Sequence, residues 1–189
     1  MDLMSFSIIA VVGVLYFLYV RVIKRRNTAL EALSGIDVQL TKRHNLMPNI
    51  LKIAQRLMTH EKTLLLKITE LRTSLNNEYN KQDTNAIKKH IDDAVALDSS
   101  LSQLMVSVEN YPKIKSDKAM VEAMATYNEV EAHISAARRF YNAAVSDLNS
   151  SVQIFPSSLI AKIISVKAMP FYRADDAHHV PVDVSDYLK

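Results

Sequence analysis

From Leu3 to Val20 the chain carries no charge and is almost wholly apolar; beyond Arg26 the apolar positions recur every three or four residues instead. The first pattern predicts a membrane-spanning helix. Its length at 1.5 Å per residue is about 27 Å, close to a hydrocarbon core of roughly 30 Å, and Val22 and Ile23 extend the apolar face. A helix satisfies its own backbone polar groups, as a segment in lipid must. Tyr16 and Tyr19 sit toward the basic end, where amphipathic rings favour the membrane–water boundary.

The second pattern predicts amphipathic helices. Ala29, Leu33, Ile36 and Leu40 form the first stripe, expected to run on from the apolar segment and to stop or kink before Pro48. Pro48 then suits the first turn of a second helix striped by Ile53, Leu57, Leu64, Ile68, Leu71 and Leu75. Polar residues from Asn76 to Asn85 read as a turn. A third helix starts near Thr84 or Asn85, carries Ile87, Ile91, Ala94, Leu97, Leu101, Leu104 and Val108, and ends at Tyr111-Pro112. Ser116 is expected to cap a fourth, with Asp117 in its first turn. Its stripe runs from Met120, Met124, Tyr127 and Val130 through Ile134, Ala137 and Tyr141 to Val145, Leu148 and Val152. Phe155-Pro156 stops it. Ser157 or Ser158 is expected to cap a short helix carrying Leu159, Ile160, Ile163, Ile164 and Val166, closed by Pro170. The tail from 173 to 189 lacks periodicity and is expected to be mobile.

The fold class that follows is all-α: an N-terminal transmembrane helix, then an antiparallel bundle of about four long helices plus a short C-terminal helix. Residues 1–26 form the anchor and its flank, 27–172 the bundle domain and 173–189 the tail. Composition agrees, since Gly13 and Gly35 are the only glycines and helix formers dominate. The methionines Met105, Met120 and Met124 read as core filler.

Charge sharpens the picture by its placement. Of 23 Lys plus Arg and 20 Asp plus Glu, four basic residues and one acidic one fall within residues 1–26, so the rest is neutral. Arg21, Lys24, Arg25 and Arg26 therefore read as a membrane flank suited to anionic headgroups, and nucleic acid is excluded as a partner. A cleavable signal would begin with basic residues and end at a small-residue site, and neither is present. The basic flank predicts the N-terminus outside and the bundle in the cytoplasm, single-pass in the cell (inner) membrane. There is no cysteine, hence neither disulfide nor thiolate site.

Little in the sequence points to catalysis. His60-Glu61 lacks the second His of a zinc helix. His90 and Asp93 on a lysine-rich stretch read as wet helix surface. Asp175-Asp176-Ala177-His178-His179 is the densest run of ligand types, but no rigid element is predicted to hold it. No phosphate loop and no nucleophile elbow occur, so neither metal nor cofactor is expected and the chain reads as a non-enzyme. The segment Ser157 to Lys167 has an apolar face with Lys162 and Lys167 alongside; packing over an open end of the bundle is favoured over lying on the membrane interface.

Four strings resemble the LemA family of bacterial membrane proteins. They are Gly35-Ile36-Asp37-Val38-Gln39-Leu40 with Lys42-Arg43-His44-Asn45-Leu46-Met47-Pro48-Asn49-Ile50; Glu109-Asn110-Tyr111-Pro112-Lys113-Ile114-Lys115; Glu131, Ile134, Arg138, Tyr141, Asn142 and Val145; and Phe155-Pro156-Ser157-Ser158-Leu159-Ile160-Ala161. With the anchor they cover nearly residues 4–172, in the family's order. The resemblance implies a single-pass protein with a cytoplasmic helical bundle, and implies no biochemical activity. His44-Asn45 departs from it, standing where an acidic residue usually precedes the Leu-hydrophobic-Pro-Asn segment.

The polar residues of these strings, Asp37, Gln39, Arg43, Asn49, Glu131, Arg138, Tyr141 and Asn142, are the candidate site. Positions 131, 138 and 142 share one helical face. The expectation is a structural network in which Asp37 or Glu131 pairs with Arg138 or Arg43 across helices and fixes the register. Function is then expected to be that of a scaffold or interaction module at the cytoplasmic membrane face, meeting a protein partner or copies of itself. The alternative is a tethered ligand sensor or enzyme with an inter-helix pocket around Asp37, Arg43, Glu131 and Arg138.

Overall fold

The computed structural model describes residues 3–58 and 60–173, and among them every regular element is helical. The elements are α1 (Leu3–Leu57), α2 (Lys62–Leu75), α3 (Thr84–Glu109), α4 (Pro112–Lys115), α5 (Lys118–Gln153) and α6 (Ser157–Ile163). The tail expected to be mobile, with Asp175 to His179, lies outside the described residues beyond Arg173.

α1 is the spine. Its 55 residues reach about 82 Å at 1.5 Å each. Met4, Phe6, Ile8, Ile9, Val11, Val12, Val14, Tyr16 and Phe17 are all exposed, and this is the stretch long and apolar enough to cross a membrane. At Val22, which is 0% exposed, the same helix enters a protein core without a break. From there Ala29, Leu33, Ile36, Leu40, Arg43, Met47, Ile50 and Ala54 are buried at alternating steps of four and three, as on a coiled-coil seam, with Ala32 and Leu51 buried beside them.

The expected stop before Pro48 does not occur: α1 continues to Leu57, and the next helix begins at Lys62. Pro48 is exposed while Met47, Ile50 and Leu51 are buried, so burial on both sides holds the helix through it. α2 is accordingly shorter than expected, starting at Lys62.

Caps set the other starts. Asp83 accepts from Asn85 N at 2.9 Å and opens α3. Asp117, not Ser116, caps α5, its Oδ1 accepting from Met120 N at 3.1 Å; the single turn α4 precedes it and buries Ile114. α6 has no side-chain cap: Ser157 Oγ instead donates to Ile154 O. α6 also ends at Ile163, short of the expected Val166. Ser165 there adopts φ 56° and Val166 N donates back to Ala161 O at 2.9 Å, closing the helix before an extended run to Arg173.

Cross-helix partners give the directions. Arg25 meets Ser151 while Arg43 meets Glu131, so α1 and α5 are antiparallel. His90 meets Asp37 and Asp98 meets Arg43, so α3 runs with α1. α2 returns between them against α3, with Ser74 Oγ donating to Asp93 Oδ2 at 2.6 Å. The core forms two clusters. One gathers Val22 to Leu40 of α1 with Ile87, Ile91, Tyr141, Leu148 and Ala161. The other gathers Met47 to Met58 with Leu65, Ile68, Leu101, Leu104, Ile114 and Met120.

Candidate functional site

Four charged side chains lie where the two core clusters meet. Arg43 falls between Leu40, the last α1 residue of the first cluster, and Met47, the first of the second. It is 0% exposed, and its Nη1 donates to both Asp98 of α3 and Glu131 of α5, the latter at 3.3 Å. Arg138 of α5 grips the other oxygen of Asp98 and stands 3.9 Å from Glu131. Two guanidinium groups thus face two carboxylates, and the layer is neutral as a unit. Removing such charges from water is costly unless geometry and partners compensate, and here each guanidinium faces both carboxylates. Burial works against the charge on Arg43, yet Asp98 and Glu131 outweigh it and hold its pKa above the ordinary arginine value. Tyr127 beside the layer is pushed up to about 12, by burial first and by Glu131 second.

Arg138 also stacks over the Tyr172 ring, with its Cζ 4.5 Å from the centroid. Tyr172 belongs to the extended run after α6, which α5 holds by two side-chain amides. Asn142 donates to Tyr172 O and accepts from Tyr172 N, both at 2.8 Å. Seven residues on, Asn149 does the same with Met169, both at 2.9 Å. Tyr141 completes the clasp by donating to Pro170 O at 2.8 Å, its own pKa raised by burial. Each asparagine amide here gives one hydrogen bond through its NH2 and takes one at its oxygen, so two of them serve an extended backbone as a neighbouring strand would.

Asp37 forms a separate cluster. Lys81 Nζ lies 2.6 Å from it, His90 Nε2 3.2 Å, and the Tyr79 hydroxyl donates to it at 3.1 Å. Tyr79 stacks on His90 with ring centroids 4.0 Å apart. Burial works to raise the Asp37 pKa, but hydrogen bonds from His90 and Lys81 prevail and lower it below the usual carboxylate value. Tyr79 is driven up, by burial and then by the adjacent Asp37 charge. His90 is therefore not wet surface but part of this cluster, and Asp93 points away from it to Ser74. A cleft of about 410 Å³ opens beside the cluster, lined among others by Asp37, Arg43, His44, Arg72, Tyr79 and His90. The Nε and Nη2 of Arg43 are buried without a partner.

The structure thus brings Arg43, Glu131 and Arg138 together, and sets Asp37 apart with Lys81 and His90 as its ion-pair partners. Gln39 is half-buried with its Oε1 unpartnered, and Asn49 is exposed. Glu131 and Arg138 do not line the cleft, so the pocket expected around all four charges is confined to the Asp37 and Arg43 side. Asp98, which links both arginines, escaped the sequence reading, as did Tyr79 and Lys81. The spacing 91, 94, 98 and 101 admits Asp98 on the α3 seam, but 94, 97 and 101 admits Leu97 equally, and Leu97 is the more buried of the two. Of the membrane flank, Arg21 and Lys24 are exposed, while Arg25 donates to Asp147 O at 3.0 Å and Ser151 Oγ at 2.5 Å. Among the described residues no three ligand-type side chains converge on a metal position.

The sequence model of the LemA family matches residues 32–185. Protein LemA of Metamycoplasma hominis is 25% identical over 183 residues, covering 94% of this chain and 81% of that protein. Magnetosome protein MamQ 2 of Paramagnetospirillum magneticum is 23% identical over 196 residues, covering 93% of this chain and 72% of that protein. Magnetosome protein MamQ 1 of the same organism matches to the same extent.

Proposed function

Because the chain belongs to the LemA family, we propose that it is a membrane-anchored, non-enzymatic interaction module, its bundle held at the cytoplasmic face and its N-terminus outside. The observation that carries this reading is the continuity of α1. The helix whose exposed apolar stretch suits a bilayer is the one whose later turns build both core clusters. Such a joint leaves no linker for free rotation, so the bundle is presented at a fixed height above the lipid. The orientation rests on Arg21, Lys24, Arg25 and Arg26 following the apolar stretch. The charge layer supports a structural role, as its carboxylates are engaged by arginines and none stands free as an acid or base. Tethering raises the effective concentration of a partner at the membrane, and the output belongs to that partner.

Purification of the full chain from membranes in mild detergent, followed by native mass measurement, tests the proposal. A homo-oligomer or a stable complex with another protein is the expected result. A lone monomer at cellular expression level overturns it.

One observation favours a second reading, ligand sensing. Two guanidinium nitrogens of Arg43 are buried without partners on a side chain that lines the 410 Å³ cleft. Under this reading a small anion raises the unfolding temperature of the bundle, and Arg43→Met abolishes the rise.

A further inference from the structure

We propose that the corner between α5 and α6, presenting Ile154, Phe155, Leu159 and Ile163, is a second membrane contact that sinks into the headgroup boundary of the bilayer α1 crosses. The proposal rests on the membrane-spanning reading of α1.

Height is the first argument. Arg25 of α1 is bonded to Asp147 and Ser151 of α5, and the two helices are antiparallel. One turn beyond Ser151 the chain reaches Phe155; one turn back from Arg25 it reaches Arg21, the first residue after the apolar stretch. The corner therefore stands level with the point where α1 leaves the lipid.

Exposure is the second. α6 divides its apolar residues between two faces: Ile160 and Ala161 are buried, Ala161 in the first core cluster, while Leu159 and Ile163, four apart, stay outside. Phe155 is 77% exposed and Ile163 71%. Large apolar side chains gathered in this way mark an interaction surface.

Charge decides the occupant. Residues 148–174 contain no Asp or Glu, and they carry Lys162, Lys167 and Arg173. Lys162 and Lys167 are exposed at the rim of a shallow groove of about 560 Å³ floored by Val152, Phe155, Leu159 and Val166. With Arg21 and Lys24 alongside, an acid-free apolar patch ringed by cations suits anionic lipid headgroups above acyl chains. A second copy of the same patch would set lysine against lysine. Two points of contact, the spanning helix and the corner, fix the tilt of the bundle on the membrane.

The absence of cysteine makes the test clean. Single substitutions Phe155→Cys, Leu159→Cys and Ile163→Cys in the full chain each take a nitroxide label. Val12→Cys in α1 and Val106→Cys, exposed on α3, serve as references. The labelled protein is reconstituted into vesicles of phosphatidylethanolamine and phosphatidylglycerol, and accessibility to lipid-partitioning oxygen is compared with accessibility to a water-soluble nickel chelate. The expected oxygen preference at the three corner sites is several-fold above that at Val106→Cys and approaches that at Val12→Cys. Corner sites that match Val106→Cys while Val12→Cys stays lipid-exposed overturn the corner contact and leave the anchor standing. Corner sites shielded from both reagents also overturn it, since a protein surface then covers them. A water-exposed Val12→Cys overturns the anchor and the corner together.

Discussion

Arg72 Nε donates to the His44 carbonyl across 3.3 Å, and that carbonyl is the one Pro48 leaves bare. A proline at position i removes the donor that would meet the carbonyl of i−4. α2 supplies the missing donor from a neighbouring helix, so α1 passes through Pro48 with the orphaned carbonyl bonded. The same guanidinium, after burial, holds the His44 pKa below its ordinary value.

This relationship predicts a coupled pair. Arg72→Met should cost about 0.5–1.5 kcal/mol, the net value of one such hydrogen bond. Pro48→Ala restores the helical donor and should stabilise by about 1 kcal/mol or more, since proline within a helix carries a penalty of roughly 3 kcal/mol. In the Pro48→Ala background the Arg72→Met cost should shrink toward zero. Urea midpoints of the helical signal, measured on the full chain in detergent for the four proteins of the cycle, read the coupling. Equal costs in both backgrounds would break the link.

Periodicity made the helices legible and left their joints obscure. Five of the six helical elements, with the anchor continuous with the first, follow from three- and four-residue spacing, turn residues and the apolar run; the single turn α4 at Pro112–Lys115 does not. Pro48 misled because propensity is local, whereas Met47 and Ile50 on one side and Arg72 on the other act through tertiary packing. The charge layer was half legible. Arg43, Glu131 and Arg138 stand out by motif, but the α3 stripe can be threaded through Leu97 as easily as through Asp98, and only packing decides. Asn142 is visible on α5, yet nothing in the sequence shows that its partner is the backbone of an extended run thirty residues away.

The charge layer predicts asymmetry between breaking and replacing it. Asp98→Ala leaves two arginines on the seam facing the single carboxylate of Glu131 and should destabilise by about 3 kcal/mol, the lower end for removal of one partner from a buried pair. Replacing Arg43, Asp98, Glu131 and Arg138 together by apolar residues of similar size should leave stability near that of the parent. The loss then appears in uniqueness of assembly, read as broadened amide spectra or mixed oligomer masses. Full stability in Asp98→Ala would show that the layer is solvated.

Asp37 sets the acid limb. Its folded-state pKa lies below the ordinary 3.8, because His90 and Lys81 outweigh the opposing effect of burial. The unfolded chain therefore binds the proton first. Stability from this site is present above about pH 4 and is lost as pH falls through the folded pKa. Asp37→Asn should be less stable at neutral pH and should show a flatter decline below pH 4 in urea midpoints. Parallel curves for parent and variant would remove Asp37 from the acid transition.

The tyrosines set the alkaline limb with the same sign logic. Burial raises the pKa of Tyr79, Tyr141 and Tyr172, and takes Tyr127 to about 12 from a usual 10.0. The unfolded chain loses these protons near pH 10, so stability falls as pH rises beyond it. Phenolate absorbance from these four should appear together with loss of the helical signal rather than before it. Tyr127→Phe should move that transition to higher pH.

The asparagine clasp predicts a local failure with little global cost. Asn142 and Asn149 each give and take one backbone hydrogen bond with the run after α6, at Tyr172 and Met169. Alanine at either position leaves a backbone donor and acceptor without partners, and water can reach them once the run lifts away. The run carries Lys167, an exposed trypsin site two residues before the Met169 backbone that Asn149 holds. Asn142→Ala, and more so the double variant with Asn149→Ala, should therefore speed cleavage at Lys167 by at least tenfold. Release of Tyr172 should also uncover Arg138, whose charge stays compensated by Asp98, so the bundle itself should hold. Asn142→Asp keeps the acceptor for Tyr172 N and loses the donor, and its cleavage rate should fall between the parent and alanine. A cleavage rate unchanged in the double alanine variant would mean that Tyr141, Val166 and Met169 hold the run without the amides.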